Sequence, residues 1–141
     1  MQVKVQEMYK NIINHVRRYP FSVACIVLVW LLSLTPFFPE TPFDNVQFID
    51  KWTHFVMYGG TTFVIWWEYS RRHRGQEPCW RRLAVWGFLA PILMGGLLEL
   101  LQAYATTTRN GDWLDFAANT FGVVIGATLG RLAMALRSNL R

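Results

Sequence analysis

The chain has 141 residues, room for a single domain, with a net charge of +5 and only two cysteines. Hydrophobic residues make up 52% of it, aromatics 16%, and Trp occurs seven times. Cys25 lies in an apolar run and Cys79 in a basic connector, which excludes a disulfide framework. The Lys and Arg residues flank apolar runs and form no basic stripe interleaved with aromatics, which argues for membrane topology and against nucleic acid as a partner.

The N-terminal arm carries Lys4, Lys10, Arg17 and Arg18. The first apolar run extends from Phe21 to Phe38 without a charge. It is expected to be a retained helix ended by Pro36 and Pro39, because Pro36 directly after Ser33-Leu34-Thr35 disfavours signal cleavage. A bilayer core of ~30 Å needs ~20 mainly apolar helical residues. The second span is expected at about 51–69, with Trp52 at one end and Trp66, Trp67 and Tyr69 at the other, as interfacial aromatics would lie. The third is expected at about 83–104, kinked by Pro91, with Gly95-Gly96 allowing close helix approach. The fourth is expected at about 115–136 and carries Gly122, Gly126 and Gly130 on one stripe, suited to backbone-close packing within the bundle or to a homo-oligomer.

These spans, 21–38, 51–69, 83–104 and 115–136, predict an all-α integral membrane protein, a four-transmembrane-helix bundle forming one domain over 1–141. Its orientation follows from the connectors. The N-terminal arm, the connector with Arg71, Arg72, Arg74, Arg81 and Arg82, and the C-terminal segment with Arg131, Arg137 and Arg141 are strongly basic. The other two connectors hold Glu40, Asp44, Asp50, Lys51, Arg109, Asp112 and Asp115. Both termini and the middle connector are therefore expected on the cytoplasmic side.

That orientation gathers polar residues at one level of the outer leaflet. His54 lies one turn inside Lys51, and Tyr58 one turn further. Glu99 lies ~24 Å along the third span, with Gln102 on its face. Asp115 and Asn119 form an i, i+4 pair opening the fourth span, after the turn Arg109-Asn110-Gly111-Asp112. An unpaired carboxylate at such depth is costly, so these groups are expected to face one another and a wet cavity. Taken singly, Lys51 and Trp52 suit interfacial anchors, and Asp112 or Asp115 suits a cap of the fourth helix. Convergence from three helices raises the cluster above a set of separate structural roles.

The stretch Asp50-Lys51-Trp52-Thr53-His54-Phe55-Val56-Met57-Tyr58 resembles the D-K-x-x-H-F-x-x-Y motif of VanZ-like membrane proteins. Glu99 and Gln102, then Arg109, Asp115, Asn119, Gly122 and Gly126, resemble that family's E-x-x-Q…R…D-x-x-x-N-x-x-G-x-x-x-G block. The resemblance covers about residues 30 to 130 in order, spacing and topology. It implies a multi-pass protein of the bacterial inner membrane and cell envelope, in a family whose namesake is associated with resistance to the glycopeptide teicoplanin.

Three functions fit these residues. The first is a binding site for an envelope lipid or lipid-linked precursor, formed by Asp50, Lys51, His54, Tyr58, Glu99, Gln102, Arg109, Asp115 and Asn119. Lys51 and Arg109 would grip phosphate there, and the carboxylates would read sugar, amine or peptide groups. The second is an intramembrane transferase or hydrolase with His54, Glu99 and Asp115 as candidate catalytic groups and Tyr58 or Gln102 steering an oxyanion. The third is a structural or small-solute transport role. No cofactor is expected: a nucleotide-binding glycine loop is missing, since Gly59-Gly60 falls inside a span. His54, Glu99 and Asp115 are residue types that could ligate a divalent metal, but no HExxH or His-rich spacing supports one, so no metal is expected either.

Overall fold

A computed structural model describes residues 2–35, 48–105 and 111–139 of the chain. Pro36 and Pro39, the expected stop of the first span, and Arg109 and Asn110 of the expected turn lie outside the described residues. All regular structure among the described residues is helical: α1 (Gln2–Arg18), α2 (Pro20–Leu34), α3 (Ile49–Arg72), α4 (Trp80–Ala84), a π-helical turn (Val85–Leu89), α5 (Ala90–Ala105) and α6 (Trp113–Asn139).

Two rods are long and apolar enough to cross a membrane by themselves, Trp80–Ala105 and Trp113–Arg137. A third such unit arises when α1 and α2 are taken together, but these are bent by 98° at their junction. The bend has a local cause. Pro20 opens α2, and a residue preceding proline is pushed out of helical geometry; Tyr19 accordingly sits at φ −132°, ψ 57°. The freed N-terminus of α2 is then held from outside: the buried Glu68 carboxylate accepts the Ser22 N–H at 2.8 Å, the Ser22 hydroxyl at 2.6 Å and the Phe21 N–H at 3.4 Å. A carboxylate on the positive end of a helix is the favourable polarity.

α3 packs chiefly on α6 and also on α2, while α5 packs on α6 and α2, closing a ring of four helices. Val29, Tyr58, Leu98 and Val123, one residue from each, form the core at one level. Trp66, Tyr69, Leu83 and Ala127 form a second core towards the arginine-rich end. The α3–α6 seam is backbone-close. A Cβ at Gly122 would strike the Phe55 carbonyl, one at Gly126 the Gly59 carbonyl, and one at Gly130 the Trp66 side chain. The glycine stripe is thus occupied by α3 within a single chain.

At Pro91, where the sequence predicts a kink, the structure shows a local adjustment within the continuous span Trp80–Ala105. Pro91 cannot donate to the Gly87 carbonyl four residues back. The backbone widens into the π-turn just before it, and the Trp66 indole N–H donates to the Gly87 carbonyl at 2.8 Å.

The distribution of polarity is inverted relative to a water-soluble bundle. Ser22, His54, Thr61, Thr62, Glu68, Glu99, Gln102 and Asn119 are buried, whereas Leu28, Val56, Leu93, Leu97, Phe121 and Leu129 are exposed. α3 holds more of these buried polar residues than any other helix, namely His54, Thr61, Thr62 and Glu68, and it packs against α2 and α6. Its modest hydropathy follows from that central position.

Candidate functional site

Three helix ends meet at the end of the molecule away from the Arg71–Arg82 connector: the start of α3, the end of α5 and the start of α6. At 100° per residue, Lys51, His54 and Tyr58 fall on the α3 face that turns to α6. Lys51 Nζ donates to Asp112 Oδ2 at 2.6 Å and lies 2.9 Å from Asp115 Oδ1. Asp112 also accepts the Leu114 N–H through Oδ1 at 2.9 Å, so it caps α6 and pairs with Lys51 together. The Lys51 ammonium, and then the Leu114 amide, hold the Asp112 carboxyl below its ordinary range.

Beneath this ion pair His54 stands between two carboxylates. Its Nδ1 is 3.0 Å from Asn119 Oδ1 and 4.0 Å from Glu99 Oε1, and its Nε2 is 3.8 Å from Asp115 Oδ2. Glu99 is 8% exposed. Its Oε1 accepts from Asn119 Nδ2 at 3.4 Å, and its Oε2 accepts the Asp112 N–H at 3.0 Å. One ligand atom from each of His54, Glu99 and Asp115 lies within 4.8 Å of the others, so the three are close enough to share a metal ion. The Tyr58 hydroxyl is buried with no hydrogen-bond partner among the described residues.

The expected residues separate into groups. The structure brings Lys51, His54, Glu99, Asp115 and Asn119 into one cluster, with Tyr58 in the core directly below it. Gln102 is buried, but its Nε2 donates to the Ser33 carbonyl of α2 at 2.8 Å, away from the cluster. Asp50 is exposed in the first turn of α3. Arg109 lies outside the described residues. Asp112, read from the sequence only as a turn or cap residue, belongs to the cluster. Glu68 drew no attention there, although a carboxylate after Trp66-Trp67 inside an apolar stretch was the signal available. It is a structural anchor for α2 rather than part of this cluster.

A groove of about 430 Å³ runs along the α5–α6 surface beside the cluster. Ile92, Leu93, Leu97, Leu100 and Phe116 line it, and Glu99 and Asp112 are its charged lining residues. Both cysteines are free.

No family model, no curated protein and no solved structure matches this chain.

Proposed function

We propose that the chain is a four-span, VanZ-like protein of the bacterial inner membrane, with both termini cytoplasmic, whose extracytoplasmic polar cluster binds the headgroup of a lipid or lipid-linked envelope precursor. One observation carries the reading: a mainly apolar groove includes Glu99 and Asp112 in its lining, and these two belong to the cluster where polar groups from three helices converge. An amphiphile needs such a junction, with its tail along the groove and its headgroup at the cluster. Four helices around one core, apolar exteriors and the basic connectors support the membrane topology.

Charge narrows the headgroup class. Lys51 is already paired with Asp112 and Asp115, which weakens its claim on a phosphate. One ammonium against the three carboxylates Asp112, Asp115 and Glu99 leaves the described cluster acidic, so it favours an ammonium-bearing headgroup. The resemblance adds Arg109 as the group that would meet the phosphate. The test is thermal unfolding of the purified protein against a panel of envelope lipids. Stabilisation by aminated headgroups, reduced in Glu99→Gln, is expected; no shift across the panel would overturn the reading.

A second reading has its own observation. The proximity of His54, Glu99 and Asp115 would let one imidazole nitrogen and two carboxylate oxygens hold a zinc- or manganese-type ion. Such an ion would polarise a phosphoryl or carbonyl oxygen in a transferase or hydrolase. Metal analysis of the purified protein tests it: stoichiometric metal lost in His54→Ala supports it, and metal-free protein with full cellular function excludes it.

A further inference from the structure

We propose that α1 is an interfacial helix that lies flat on the anionic cytoplasmic leaflet, with its apolar face in the acyl boundary and its basic residues at headgroup level. This rests on the membrane reading above, in which α2 crosses the bilayer.

Four observations converge. Val5, Met8, Tyr9, Ile12, Ile13 and Val16 recur at helical spacing along one face, and every one is exposed; Tyr9 is 61% exposed. The opposite side carries Lys4, Lys10, Arg17 and Arg18 against one acid, Glu7. At 100° per residue Lys10 and Arg17 border one edge of the apolar face and Lys4 the other, where long cationic side chains reach headgroups while their stems cover hydrocarbon. The third observation is direction: α1 leaves α2 at 98°, so if α2 runs along the bilayer normal, α1 runs in the membrane plane. Finally, the turn is built in. Proline at the head of α2 breaks the helix, and Glu68, on the neighbouring α3, clamps that head in place.

The occupant of the apolar face follows from the same features. A partner helix would need a groove that buries the stripe but leaves both basic edges exposed. An anionic leaflet satisfies apolar face and basic edges together, and each basic residue near such a surface favours the bound state by roughly fivefold.

The test uses the full chain in vesicles, in a Cys25→Ala, Cys79→Ser background, with spin labels at Ile12→Cys, Asn11→Cys and Leu28→Cys in turn. Collisions with oxygen report lipid, and collisions with a water-soluble nickel chelate report solvent. In phosphatidylglycerol-containing vesicles the oxygen-to-nickel ratio at Ile12 is expected to exceed that at Asn11 several-fold, approaching the ratio at Leu28 on the exposed face of α2. In pure phosphatidylcholine the Ile12 ratio is expected to fall. A nickel-accessible Ile12 beside a lipid-exposed Leu28 would overturn the inference and leave the membrane reading intact. Shielding of Ile12 from both reagents would also overturn it, in favour of a protein partner or a second copy. A nickel-accessible Leu28 would overturn both, and equal ratios in the two lipids would overturn the anionic preference.

Discussion

Lys51 and Asp115 meet at 2.9 Å across the α3–α6 seam, at the point where those two helices and α5 present their polar ends to one another. The pair is partly shielded, with 25% and 13% of the side chains exposed, so its loss leaves carboxylates without their counter-charge. Lys51→Ala is expected to cost ~1–3 kcal/mol, less than a fully buried pair because water still screens it. The double variant Lys51→Met, Asp115→Asn should recover part of that loss. Thermal unfolding of Lys51→Met, Asp115→Asn and their double variant measures the coupling, and strictly additive losses would show that the pair is not one unit.

Acid should weaken the same junction. The Asp112 carboxyl titrates below its ordinary range because Lys51 and the Leu114 amide favour its charged form. Its contribution to stability is therefore complete above the ordinary carboxylate range and is lost as pH falls through the depressed folded value. Unfolding temperatures between pH 7 and pH 3 should decline on the acid side in the wild type, with a shallower decline in Asp112→Asn. Identical acid limbs would remove Asp112 from the account.

The Trp66 indole is a specific remedy for Pro91. With Trp66→Phe the buried Gly87 carbonyl loses the donor that Pro91 cannot supply, at an expected cost of ~1–3 kcal/mol. Replacing Pro91 by Ala in that background should restore part of the loss by returning a backbone donor. Chemical denaturation of the single and double variants reads this directly.

Two glycines of the same bundle should behave oppositely. Gly60 has nothing within 4 Å of an added Cβ, so Gly60→Ala should be neutral or stabilising by up to ~1 kcal/mol. Gly126→Ala drives a methyl into the Gly59 carbonyl and should cost ~1–3 kcal/mol or more. Equal effects at the two positions would contradict the α3–α6 seam.

How much of this was legible in the sequence depends on the range of the interaction. The third and fourth apolar runs matched helices of the right length, and Glu99 with Asn119 was legible because helical spacing and one membrane level placed both together. Lys51 was read as a phosphate ligand, since the i, i+4 logic of a single helix carries no information on Asp112 and Asp115 across the seam. Gln102 fell on the Glu99 face, yet the offset of about 60° between positions three apart is enough to turn its amide to α2. α1 was missed for a different reason. Its Lys and Arg were weighed as topology markers, although the 3.6-residue period of Val5, Met8, Tyr9, Ile12, Ile13 and Val16 was there to be read. The sharp turn at Pro20 was likewise legible in principle, but its clamp by Glu68 required the tertiary structure.

The central claim is that the cluster around His54, Glu99, Asp115 and Asn119 holds a lipid headgroup, and native mass spectrometry of the protein released from bacterial membranes tests it most directly. Glu99→Gln removes the charge and keeps one of the two acceptor oxygens that serve the Asp112 and Asn119 donors, so its folding is checked beside its binding, and Cys79→Ser, an exposed position at the other end, serves as control. A lipid adduct retained by the wild type and Cys79→Ser but depleted at least tenfold in folded Glu99→Gln, about 1.4 kcal/mol of binding, is the predicted result. An adduct equally populated in all three, or in none, would contradict the account.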